Sequence, residues 1–137
     1  MDPSLWNLLH DGSLVQANAG VTGEVALHID CLYLREMFPG SGEGFIVTLQ
    51  ECSLFEYEPY DEPAIQSLDA IASLEPEILS ASSGAPLEVC CAAGTLRLQY
   101  KSAELALDTG EAVSTLELDQ AAETYWRRWE ERHKADS

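Results

Sequence analysis

Two histidines lie in the body of the chain, His10 and His28, and each has an aspartate close by, Asp11 and Asp30 respectively. An imidazole and a carboxylate form an acid–base pair when their side chains share one side of the backbone. In an extended segment residues two apart do so, which qualifies His28 with Asp30. Neighbours at a helix end, as His10 and Asp11 are read to be, do not. A hydrolytic triad also needs an activated nucleophile, and no serine here stands in a GxSxG setting. The plainer reading of the pair is a solvent-facing His28 beside an Asp30 that caps the next helix.

Carboxylates are more abundant. The stretch Phe45–Glu62, FIVTLQECSLFEYEPYDE, opens as an apolar alternation and ends with acids interleaved among aromatics. Glu56 and Glu58 share one side of an extended segment, and Tyr60, Asp61 and Glu62 follow directly. A hard-cation loop needs regularly spaced ligands with glycine at its bend, and that spacing is missing. Four cysteines without a CxxC, together with three histidines, make a poor zinc site. Gly40–Gly44, GSGEG, follows a helix and precedes a strand, the reverse of a phosphate-cradling loop, and no lysine is near. No catalytic, cofactor or metal residue is therefore assigned. What does fit Glu56, Glu58, Tyr60, Asp61 and Glu62 is recognition of a protein, because tyrosine supplies contact area and carboxylates pair with Arg and Lys. Phe55 and Tyr57 point the other way and are compatible with a core.

These residues need elements to hold them. Asp2-Pro3 reads as the start of a short helix over Ser4–Leu9, stopped at Asp11-Gly12. Leu14–Ala19 and Glu24–Asp30 read as a hairpin with one wet side, with Val25, Leu27 and Ile29 inward. A short helix capped by Asp30 runs to Phe38, and Pro39-Gly40 ends it. Asp61-Glu62-Pro63 is read as capping a helix up to Leu74, and 75–85 as a linker. Leu87–Ala92, Thr95–Lys101 and Glu104–Asp108 form a meander. Ser114 with Glu117 spells a capping box that starts a long last helix, reaching about His133, with Leu118, Ala122, Tyr125 and Trp129 on one stripe. The expected architecture is α+β, an antiparallel sheet of about six strands with helices packed on one face and a long C-terminal helix, in a single domain over 1–137.

Charge narrows the partners. Twenty-four Asp and Glu face seven Lys and Arg, a formal net charge of −17. Such a field repels nucleic acid and anionic membrane surfaces and attracts a basic protein. Solubility alone is the competing explanation. The cysteines are expected to be buried reduced thiols, the N-terminus lacks a basic, apolar leader, and no stretch reaches the roughly 20 apolar residues of a membrane span. A cytoplasmic location follows as the expectation.

Trp6–Gly12, WNLLHDG, followed at once by a hairpin, resembles the opening of small acidic bacterial domains in which an FHDA- or LHDG-like segment leads into a β-rich domain, among them immunity proteins of polymorphic-toxin systems. The resemblance covers about a tenth of the chain. It implies a cytosolic, non-catalytic inhibitor that binds one toxin domain, often over its active site, and many toxins acting on nucleic acid are basic. It carries no binding residues over to this chain, so the partner-binding positions remain Glu56, Glu58, Tyr60, Asp61 and Glu62. The alternative is a small-ligand or hydrolytic domain using His28 and Asp30 or the clustered carboxylates.

Overall fold

Alternation of apolar and polar residues builds most of the structure, a computed structural model that describes residues 2–135. After helix α1 (Ser4–Leu8), strands β1 (Ser13–Ala19) and β2 (Val25–Asp30) form the expected hairpin across a 3-10 turn at Val21–Gly23. Helix α2 is a single turn, Leu32–Arg35, and β3 (Gly44–Gln50) follows. Then come β4 (Leu54–Pro59), α3 (Leu68–Ser73), β5 (Ile78–Ser82), β6 (Leu87–Cys91), β7 (Gly94–Gln99), β8 (Ser102–Leu107) and the long α4 (Thr115–Ala135).

The class is α+β with antiparallel pairing throughout. The eight strands among the described residues, however, form two four-stranded sheets, β1-β2-β3-β8 and β4-β7-β6-β5, where one sheet of about six was expected. The inward residues of both line one core: Leu27, Ile29, Phe45, Val47 and Leu49 from the first sheet, Tyr57, Leu87, Val89, Leu96 and Leu98 from the second. Each such side chain contributes about 1.5–3 kcal/mol by leaving water, so the shared interior dominates folding. Inward residues alternate with outward ones along β2, β3, β4, β6 and β7, and the two outer faces therefore look away from each other.

The chain changes sheet between β3 and β4. Glu51 takes a left-handed backbone (φ 48°), Cys52 N–H donates to the Gly23 carbonyl at 2.8 Å and Ser53 N–H to that of Gln99 at 2.8 Å. The 75–85 segment is no linker, because β5 lies inside it and pairs with β6, with Ile78 its one buried residue. Asp30 does not cap α2, whose N-cap is Cys31 without a side-chain bond. Ser67, not the Asp61–Pro63 run, caps α3, and Ile65 instead bridges to Tyr57. The Ser114–Glu117 capping box of α4 forms in both directions, at 3.1 and 3.0 Å.

Arg35 is the one buried charged residue among those described, with 1% of its surface exposed. Its Nε donates to Asp108 Oδ1 at 2.9 Å and its Nη1 to the Pro39 carbonyl at 3.1 Å, while Nη2 has no partner. Asp108 Oδ2 in turn accepts the N–H groups of Glu43 (2.8 Å) and Gly44 (3.2 Å). The pair ties the 38–44 loop to the end of β8. A side chain at Gly42 would collide with both partners, which explains glycine there.

Candidate partner-binding face

Strand register decides which carboxylates meet. Across β4, β7 and β6 the aligned residues are Glu56, Arg97 and Glu88, with Glu58, Thr95 and Cys90 in the next outward row. Arg97 stands at the centre of three acids: Nη1 is 3.3 Å from Glu58 Oε2 and 3.7 Å from Glu56 Oε1, and Nε is 3.5 Å from Glu88 Oε2. One guanidinium cannot neutralise three carboxylates. The face keeps about two negative charges, held by a rigid strand platform and by ionic contacts worth little individually at such exposure. Phe55 and Tyr57, on the opposite side of β4, are core residues, as the alternation implied.

Beyond β4 the chain turns back along the β6–β7 hairpin. Tyr60 N–H donates to the Ala93 carbonyl at 3.0 Å, and Glu62 N–H to that of Pro59 at 3.3 Å. Asp61 sits at φ 63°, a conformation Asp tolerates in a turn. Gly94 allows this close approach, since a Cβ there would strike the Glu58 carbonyl and the ring of Tyr57. Tyr60 is left 60% exposed, with Asp61 and Glu62 exposed beside it. The five residues proposed from sequence thus form one continuous strip: two acids on the strand platform, then Tyr60, Asp61 and Glu62 on the turn it leads into. Sequence reasoning missed Arg97 and Glu88, which complete the platform. Arg97 did lie on the polar side of a recognisable strand, but its cross-strand partners depend on the register.

His28 and Asp30 lie on the outer face of the other sheet, away from these carboxylates. His28 Nε2 approaches Asp30 Oδ1 to 3.3 Å, and this nitrogen is buried without a hydrogen-bond partner. We read the contact as a close approach of neighbours sharing one side of β2. A shallow groove of about 510 Å³ runs nearby along β3 and β8, lined by Ile46, Thr48, Glu104 and Ala106, and neither His28 nor Asp30 lines it. Among the described residues no group of three or more His, Cys, Asp or Glu side chains is placed to hold a metal ion.

All four cysteines are free, but only Cys31 and Cys91 are fully buried; Cys52 is half-buried, and Cys90 is exposed where a buried thiol was expected. Burial pushes the Cys31 thiol up to about 11 and that of Cys91 up to about 12.

Each residue of Trp6–Gly12 that can be followed has a structural task. Trp6 and Leu9 are core, and Trp6 Nε1 donates to the Tyr100 hydroxyl at 3.0 Å. Asn7 pairs with the backbone of Ala81 in both directions, at 3.2 and 2.8 Å, fastening α1 to β5. His10 Nδ1 lies 2.8 Å from the Asn7 carbonyl, and its ring stacks on Trp126 at 5.7 Å. Asp11 adopts φ 68°, and a Cβ at Gly12 would come within 2.8 Å of the Leu9 carbonyl. Comparison with protein-family profiles, with curated proteins and with solved structures gives no match for this chain.

Proposed function

We propose that this protein is a non-catalytic acidic binding protein, an immunity-type inhibitor that neutralises a basic toxin domain by direct contact through Glu56, Glu58, Tyr60, Asp61 and Glu62. The observation that carries the reading is the arrangement of Glu56, Glu58 and Glu88 around Arg97 beside the exposed Tyr60. Acids held at strand spacing lose little freedom when they meet a cationic surface, and an exposed tyrosine next to them is a contact anchor of low entropy cost. The surplus of acids over the whole chain adds long-range attraction for such a partner. A cytoplasmic site of action belongs to the same proposal; no helix among the described residues is long and apolar enough to cross a membrane.

The test begins with the basic protein that co-purifies from the native host, or with a toxin domain encoded beside this gene. Glu58→Lys with Asp61→Lys is expected to weaken its binding by about tenfold or more, chiefly through slower association that depends on salt. Circular dichroism should show an unchanged fold. An affinity that ignores both the reversal and the salt concentration removes this face from consideration.

A further inference from the structure

We infer that the C-terminal half of α4, together with α2, is a docking surface for a second copy of this chain. The proposal is independent of the acidic face and uses different elements. It starts from the apolar stripe of α4. Leu118 and Ala122 are buried in the core, Tyr125 and Trp126 are half-buried, and Trp129 is 38% exposed. The stripe therefore continues along the helix past the elements that cover its first half. Between this part of α4 and α2 lies a groove of about 630 Å³ floored by Tyr33, Met37 and Tyr125. Its rim carries Arg128 and Arg132, one turn apart, with Glu131 on the same helix and Glu36 across the groove.

Charge selects the occupant. Of the 24 acids 18 precede Thr115, against three of the seven basic residues, so most of the surface repels another copy of itself. The end of α4 differs, because Arg127, Arg128, Arg132 and Lys134 slightly outnumber Glu123, Glu130 and Glu131. Arg128, Arg132, Glu131 and Glu36 are all exposed, and none makes an ion pair within 4.0 Å among the described residues. A two-fold axis beside α4 brings the arginines of one copy against the glutamates of the other, and the reverse, with the aromatic floors in contact; that self-complementarity is what a symmetric dimer requires. An acidic peptide would meet Glu36 and Glu131 as well as the arginines, and a basic one the arginines as well as the glutamates. Half of α4 spans roughly 15–20 Å, and with α2 it offers on the order of 400–500 Å² per copy, the low end for a specific interface. The dimer is accordingly weak and concentration-dependent.

Sedimentation equilibrium across the micromolar range tests this on the full chain. The wild type should rise from monomer toward twice its mass, with a shift in tryptophan emission as Trp129 is covered. Arg128→Glu with Arg132→Glu, and separately Glu36→Arg with Glu131→Arg, should each be at least about tenfold weaker in self-association, and an equimolar mixture of the two should recover the dimer. The second variant is less negative overall than the wild type, so its failure to dimerise separates a specific contact from general repulsion. All four positions are exposed, and circular dichroism verifies the fold of each variant. A wild type that stays monomeric throughout, a dimer that both variants leave intact, or a mixture that does not recover it overturns the proposal.

Discussion

Replacing Asp108 by Asn removes one charge from the Arg35 pair while leaving its shape almost unchanged. In the native protein burial raises the Asp108 carboxyl, but the hydrogen bond from Arg35, the N–H groups of Glu43 and Gly44 and the Arg35 charge outweigh it and bring the value from 3.8 down to about 2. A lowering of that size corresponds to about 2 kcal/mol favouring the folded state. Because the folded value is the lower one, that stability is fully present above roughly pH 5 and is lost as the pH falls toward 2. The Asp108→Asn substitution would also leave the Arg35 guanidinium, already with an unsatisfied Nη2, buried without a counter-charge. Removing one member of a buried pair costs about 3–5 kcal/mol, so a loss of about 3 kcal/mol is expected at neutral pH, allowing for the hydrogen bonds an amide retains. Urea unfolding followed by tryptophan fluorescence measures it, with the slope against urea unchanged. The difference between wild type and variant should shrink as the pH drops from about 4 to about 2, where the native carboxyl also becomes neutral. Arg35→Met combined with Asp108→Asn should be less destabilised than the two single losses added together, since the pair is broken only once. A loss below about 0.5 kcal/mol, or one that does not vary with pH across this window, would refute the assignment of Arg35 and Asp108 as a buried ionic clamp.

Other expectations follow from single contacts. Gly44→Ala drives a methyl into the Ile29 carbonyl on the neighbouring strand, so it should cost several kcal/mol, on the order of 3, in thermal or urea unfolding; a neutral substitution would mean that β3 shifts freely against β2. Asn7→Ala removes both bonds to Ala81 and should cost about 1–2 kcal/mol, with hydrogen exchange accelerating in β5 before it does in β6. An aromatic disulfide reagent should titrate Cys90 rapidly in the native protein and reach Cys31 and Cys91 only after unfolding, since those two are buried with thiols pushed up to about 11 and about 12. Fast reaction of Cys91 in the native protein would show that the second sheet opens readily.

Where sequence alone was informative, the reason was local. The in–out alternation of Val25–Ile29 and Phe45–Leu49, the Ser114–Glu117 capping box and the opposite facing of Tyr57 and Glu58 all depend on neighbours within a turn or a strand. The division into two sheets was hidden for a specific reason. Phe45, Val47 and Leu49 are in phase with Phe55 and Tyr57, so the two runs read as one strand interrupted only at Glu51 and Ser53, where the chain is redirected. Strand β5 escaped notice because it is a serine-containing edge with one buried residue, Ile78, and its identity depends on pairing with β6. The Arg35–Asp108 pair joins residues 73 apart, and Arg97 meets Glu58 across 39. Interleaved acids and aromatics marked out the five candidate positions as neighbours, while the central cation and third acid were visible only through register.

The cost of that strip bears on what it does. The Cα atoms of Glu56 and Glu58 are about 7 Å apart along β4, and that of Glu88 stands roughly 10 Å away across two strand spacings. Their carboxylates converge on the Arg97 guanidinium, closer together than the backbone spacings, and repel one another. Arg97 offsets part of the repulsion but fixes their positions in doing so, which a surface needing only solubility has no reason to do: scattered acids on loops give the same net charge with less self-repulsion. Acids on backbone positions about 7 Å apart match basic side chains two apart on a partner strand. If the arrangement serves solubility alone, Arg97→Met, which frees the three glutamates to spread, should leave partner binding unchanged. If it serves recognition, the same substitution should strengthen the long-range attraction for a basic partner and yet weaken the final complex, with association faster and dissociation faster still. That opposed change in the two rates distinguishes an ordered binding platform from a merely acidic surface.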